Sequence, residues 1–162
     1  MDRQIPLFGR RKRLYGVFDE RLFIIHEESD LCLRAKTAGY GCAVLGETLV
    51  WHKGSSAFER SGRQLQRYFD ARNLLHVLRR HTGRVGASRK FTPSLWHYLL
   101  YVFYRYDVEM DAGKTRAASA VAEGTYDGLL GGYGPYRRRS RVGRAASRVA
   151  FSAARWVAHR IS

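Results

Sequence analysis

Five acidic side chains fall within 12 residues: Asp19, Glu20, Glu27, Glu28 and Asp30. Carboxylates crowded in this way can accept a proton from a hydroxyl or hold a divalent cation. His52 follows about two dozen residues after Glu28 and adds a candidate metal ligand. Crowding raises a carboxyl's pKa while a helix N-terminus lowers it, so spacing alone does not assign a protonation state. Two plainer readings compete. Acids commonly occupy the first turn of a helix, and a histidine beside a strand is commonly a hydrogen-bonded structural one.

The elements that must position these residues are legible in outline. Tyr15 to Glu20 reads as a turn, and Leu22 to Ile25 as a short strand or a buried turn. A helix is expected from Glu28, with Glu28 and Asp30 at its positive end and Gly39 as its stop. Cys42–Leu45 and Thr48–Trp51 read as two β segments around Gly46-Glu47. A second helix spans about Gly62 to His81, with Leu65, Tyr68, Phe69, Arg72, Leu75 and Leu78 along one stripe. A linker over Thr82–Ser88 precedes an aromatic helix over residues 94–106. A further, Ala-rich helix covers about Asp111–Leu130 and stops at Gly131-Gly132. Asp107 to Asp111 reads as a polar helix junction.

The charge is uneven. There are 29 basic residues against 14 acidic ones, a net charge of +15. Residues 137–162 hold eight arginines and no acid, so more than half the excess lies in the last sixth of the chain. That segment places Val142, Ala146, Val149, Ala153, Trp156 and Val157 on one helical face, with arginines toward the other. It reads as a basic amphipathic helix suited to a polyanion or an anionic lipid surface. Cys32 and Cys42 are too few for a disulfide framework, and no cysteine cluster suggests structural zinc. The first residues lack the apolar core of a signal peptide, and no stretch reaches 18 apolar residues.

The motifs occur in a recognisable order. Gly16-x-Phe18-Asp19-Glu20-x-x-Phe23 is followed by Glu27-Glu28-x-Asp30-Leu31-x-x-Arg34, then Ala38-Gly39-Tyr40, then Val50-Trp51-His52-Lys53-Gly54. This order resembles the C-terminal half of a family 2 glycosyltransferase, the rhamnosyltransferase-like members most of all. Tyr68-x-x-x-Arg72-Asn73 is similar to that family's Y-x-x-x-R-N helix. The resemblance covers about Gly16 to Arg80.

The resemblance implies an α/β fold: part of a GT-A, Rossmann-like sandwich, followed here by an α-helical C-terminal extension. It implies transfer of a sugar, with inversion, from a nucleotide-sugar donor to a hydroxyl of a glycan or lipid-linked acceptor. By position Glu28 is the general base, with Glu27 and Asp30 as alternatives. Gly16, Phe18, Asp19, Glu20, Trp51 and Arg72 fall on the acceptor side. His52 matches a position that reaches the metal, a Mg or Mn ion that neutralises the departing diphosphate. The family's donor-binding half, with its D-x-D motif, has no counterpart in these residues. The chain therefore reads as a fragment expected to be inactive alone, organised as residues 1–81, 82–136 and 137–162.

The aromatic helix and the arginine-rich end suggest a peripheral position on the cytoplasmic face of the cell membrane, with Trp96, Tyr98, Tyr101, Phe103, Tyr104 and Tyr106 at headgroup depth. Two other classes compete. A pI near 10.5 invites nucleic-acid binding, but the sequence holds no recognised DNA- or RNA-binding motif and the acid cluster would repel phosphates. An inactive remnant or a membrane-surface binding protein is the alternative reading.

Overall fold

The computed structural model describes residues 17–43, 46, 63–82, 87–136 and 141–161. Gly16, Trp51 and His52, and most of the two expected β segments, lie outside them. Five helices are described: α1 (Glu27–Thr37), α2 (Gln64–His81), α3 (Ala87–Asp111), α4 (Thr115–Leu130) and α5 (Arg141–Ile161).

Among the described residues there is no strand, which overturns the α/β, GT-A-like expectation. The reason is visible at Leu22–Ile25. Leu22 N–H donates to Asp19 O at 3.0 Å and Phe23 N–H to Glu20 O at 3.2 Å, so the chain turns. Phe23, Ile25 and His26 all have φ between 64° and 71°, a left-handed conformation that no strand tolerates. The carbonyls of this segment accept from side chains of α2 instead of from a neighbouring strand.

α1 begins one residue before the expected Glu28 and carries Glu27, Glu28 and Asp30 in its first turn. It ends as expected. Gly39, at φ 85°, donates to Lys36 O at 3.1 Å, and Tyr40 N–H donates to Ala35 O at 3.0 Å. That pair of bonds satisfies the last carbonyls of the helix.

The centre of the molecule is the contact of α2 with α4. Ala120, Gly124 and Gly128 recur every four residues along α4 and let the two backbones touch. A Cβ on Gly124 would stand 2.2 Å from the Tyr68 carbonyl oxygen, and one on Gly128 3.0 Å from that of Arg72. Tyr68 then reaches across to Asp127 at 2.7 Å in a buried hydrogen bond. A second cluster forms where Ala71 and Leu75 meet Tyr98, Val102 and Phe103 of α3, Val121 and Ala122 of α4 and Phe151 of α5. The buried Arg67–Glu109 ion pair, at 2.6 Å, ties α2 to the end of α3.

α3 is longer than expected. It starts within the expected linker and runs through Pro93 and the Asp107–Asp111 stretch. Its aromatics divide between core and surface: Tyr98 and Phe103 are buried, whereas Trp96 and Tyr104 are exposed. The expected basic helix is present as α5. Among its described side chains, Ser147 and Phe151 are buried, and Val149, Trp156 and Val157 of the expected apolar face turn outward. Phe151 wins the inward side because its ring fits against Phe103 and Tyr106, both at 5.1 Å between centroids.

Candidate functional site

The acidic segment is held from behind by α2. Arg72, fully buried, donates to the carbonyls of Leu22 at 2.9 Å, Arg21 at 3.2 Å and Gly134 at 2.6 Å. Asn73, also fully buried, donates its amide to the carbonyls of Leu22, Ile24 and Ile25 at 2.7–2.9 Å. The Arg72 guanidinium lies over the Phe69 ring at 4.8 Å. Burial pushes the Arg72 pKa down from its usual value, opposed by Tyr68 and Asp127 nearby. An arginine remains charged through such a shift. Arg72 thus sits behind the turn and positions it.

Two of the expected site acids are anchored in ion pairs. Asp30 is fully buried, with Arg34 Nε at 2.8 Å, His81 Nε2 at 2.8 Å and Arg80 Nε at 3.6 Å. Burial pushes its carboxyl up, but the bonds from His81 and Arg34 outweigh this and hold it below the usual value. Asp19 takes Arg21 at 2.9 and 2.7 Å, Arg80 at 2.7 Å and His76 at 3.3 Å. The Arg21 hydrogen bond, against the cost of burial, holds this carboxyl far below the usual range. Arg80 therefore bridges Asp19 and Asp30. A basic cleft of about 360 Å³, lined by Arg21, His76, Arg79 and Arg80, opens beside them.

The other two acids of α1 differ. Glu28 is exposed on the first turn. Glu27 is partly buried, and its Oε2 is a buried oxygen with no hydrogen-bond partner. Phe18 and Glu20 are exposed on the preceding turn, and Arg34 Nη2 fixes that turn through Val17 O at 2.6 Å. The described residues thus bring Phe18, Asp19, Glu20, Glu27, Glu28 and Asp30 into one segment braced by Arg72.

His26, the residue before α1, was not singled out as a site residue. Its Nε2 lies 2.9 Å from Asp70 Oδ1, and Tyr101 donates to Asp70 Oδ2 at 2.5 Å. Burial raises the Asp70 pKa, and the His26 and Tyr101 bonds more than reverse it. His76, Arg80 and His81 were likewise missed. All three lie on the last two turns of α2, where spacing from a distant acid gives no signal.

Among the described residues no group of three or more His, Cys, Asp or Glu could hold a metal ion. Glu27 offers one free oxygen, which alone does not make a divalent-cation site. His52, the expected ligand of the Mg or Mn ion, lies outside the described residues.

A separate groove of about 670 Å³ opens between α2, α4 and α5, lined in part by Tyr68, Arg116, Ser119, Tyr136 and Arg148. None of its lining residues belongs to α1 or to the turn before it. Among the described residues no helix is long and apolar enough to cross a membrane.

Compared with the profiles of known protein families, with curated proteins and with solved structures, the chain matches nothing.

Proposed function

We propose that this chain carries the acceptor side of a nucleotide-sugar glycosyltransferase of the cell envelope, working at the inner face of the membrane, with Glu28 as general base. The supporting observation is the braced turn. Three residues with positive φ, among them the β-branched Ile25, lie immediately before the acidic helix. Each such conformation costs on the order of 1–3 kcal/mol and persists only where its surroundings over-determine it. Here the fully buried Arg72 and Asn73 do so, and the result is a fixed helix start that presents Glu28 to solvent.

In this reading the Glu28 carboxylate takes the proton of the acceptor hydroxyl as its oxygen attacks the anomeric carbon. The bond from that carbon to the nucleotide's diphosphate breaks, and the diphosphate leaves with the electron pair. Arg72 and Asn73 position the turn, and Asp30 anchors the helix. Donor binding is assigned to none of the described residues.

The test is genetic. In the cell that makes this chain, deletion of its gene and Glu28→Gln are compared for the sugar composition of envelope polysaccharide. The same missing sugar in both, at unchanged chain abundance, supports the base. A deletion defect fully rescued by Glu28→Gln refutes it.

A second reading, a membrane-surface binding protein without catalysis, is favoured by one observation: α5 exposes Val149, Trp156 and Val157. Rescue by Glu28→Gln, together with a defect on loss of α5, would favour that reading.

A further inference from the structure

We infer that the outward face of α5 docks on an anionic lipid surface, with Val149, Trp156 and Val157 entering the headgroup–acyl boundary and Arg160 meeting lipid phosphates. The inference rests on the peripheral placement proposed above and is independent of the glycosyl-transfer chemistry.

The side of α5 that carries Ser147 and Phe151 faces the body. Phe151 packs on α3, and the Arg155–Asp107 ion pair at 2.9 Å fastens the same side. On the other side Val149 is 70% exposed, Trp156 57% and Val157 47%. Between them lie Ala145, Ala146, Ala150, Ser152 and Ala153, all exposed and all small. The outward face is therefore smooth, apolar and centred on a tryptophan, the residue that partitions best to a membrane interface.

Charge complementarity selects the occupant. Residues 137–162 contain eight arginines and no acid. Of these, Arg160 is exposed on the outward side. Arg160 lies over the Trp156 ring at 3.9 Å, which places a guanidinium directly above the group that would enter the boundary. A long basic side chain in that position buries its stem and keeps its head at phosphate level. A nucleic-acid backbone would use the arginines and leave the apolar strip in water.

Flotation of the full chain with phosphatidylcholine vesicles, with and without about one-third phosphatidylglycerol, tests this. Binding is expected to the anionic vesicles and to weaken with salt. Trp156→Asp and Val149→Asp are each expected to lower partitioning roughly tenfold, and Arg160→Ala about fivefold. Trp156→Phe is expected to keep most of it, with helical circular dichroism unchanged in all four.

Anionic-vesicle binding that all four variants retain overturns the docking face and leaves the peripheral placement standing. No binding to any vesicle overturns both. A dimer in sedimentation that Trp156→Asp dissociates assigns the face to a second copy and overturns the lipid inference. Retention on duplex DNA without vesicle binding overturns it in favour of nucleic acid. Glycosyl transfer is read separately, through Glu28→Gln.

Discussion

The side-chain amide of Asn73 donates to the Leu22 carbonyl at 2.9 Å, across 51 positions of sequence and with both residues fully buried. The same amide also reaches Ile24 and Ile25, so one side chain takes the place of the neighbouring strand that Leu22–Ile25 does not have. Asn73→Ala leaves two partly buried carbonyls without this donor, while Leu22 keeps its bond from Arg72. Each lost bond costs about 1 kcal/mol net, and more where a carbonyl stays dry. The expected loss is about 3 kcal/mol in urea unfolding. A loss under about 0.5 kcal/mol would mean that the turn is held by other contacts.

Glu28 and Asp30 are two residues apart and should behave oppositely. Glu28→Gln changes an exposed side chain and is expected to shift stability by no more than about 0.5 kcal/mol. Asp30→Asn removes the partner of Arg34 and His81 inside the fold and is expected to cost about 3–5 kcal/mol. Thermal unfolding of the two purified variants checks this, and equal losses would contradict the division between anchor and presented base.

Gly124 has no room for a side chain. Its Cβ would meet the Tyr68 carbonyl oxygen at 2.2 Å, and backbone cannot move aside as a side-chain end can. Gly124→Ala is expected to push α4 off α2 at a cost of about 1–3 kcal/mol, despite alanine's better helix propensity. An unchanged or raised melting temperature would show that the two helices do not meet this closely.

Stability should fall as the solution becomes acid. The carboxyls of Asp19, Asp30 and Asp70 are held below their usual values by the cations and hydroxyls that bond them. A depressed carboxyl stabilises the fold above its unfolded pKa of about 3.9 and loses that contribution as the pH drops toward the folded value. Burial likewise depresses His76, against its bond to Asp19. Its contribution is complete above about pH 6.5 and declines as the unfolded chain takes up a proton that the folded one resists. Urea midpoints should therefore decline gently below about pH 6.5 and steeply below about pH 4. A midpoint that rises on acidification would contradict these pairings.

The helices were legible because their signals are local. The acids of α1, the Gly39 stop, the stripe of α2, the Gly131 stop of α4 and the arginines of α5 all act within about one turn of themselves. The candidate acids were legible for the same reason, as five carboxylates within 12 residues. The glycine seam of α4 was also written in the sequence as Ala120, Gly124 and Gly128, but a four-residue spacing of small residues does not say which helix comes close.

Composition and periodicity determined that this chain makes amphipathic helices, where α1, α2 and α4 stop, and that its last segment is basic. Tertiary structure decided the rest. Leu22–Ile25 is a turn because Arg72 and Asn73, about fifty residues away, take its carbonyls before any strand can. Asp30 is an anchor because His81 arrives beside it. The side of α5 that faces inward is the one whose Phe151 fits Phe103 and Tyr106. The apolar spacing of α5 would have put Val149, Trp156 and Val157 inward, so the shape of the partner surface, not the pattern, decided the orientation.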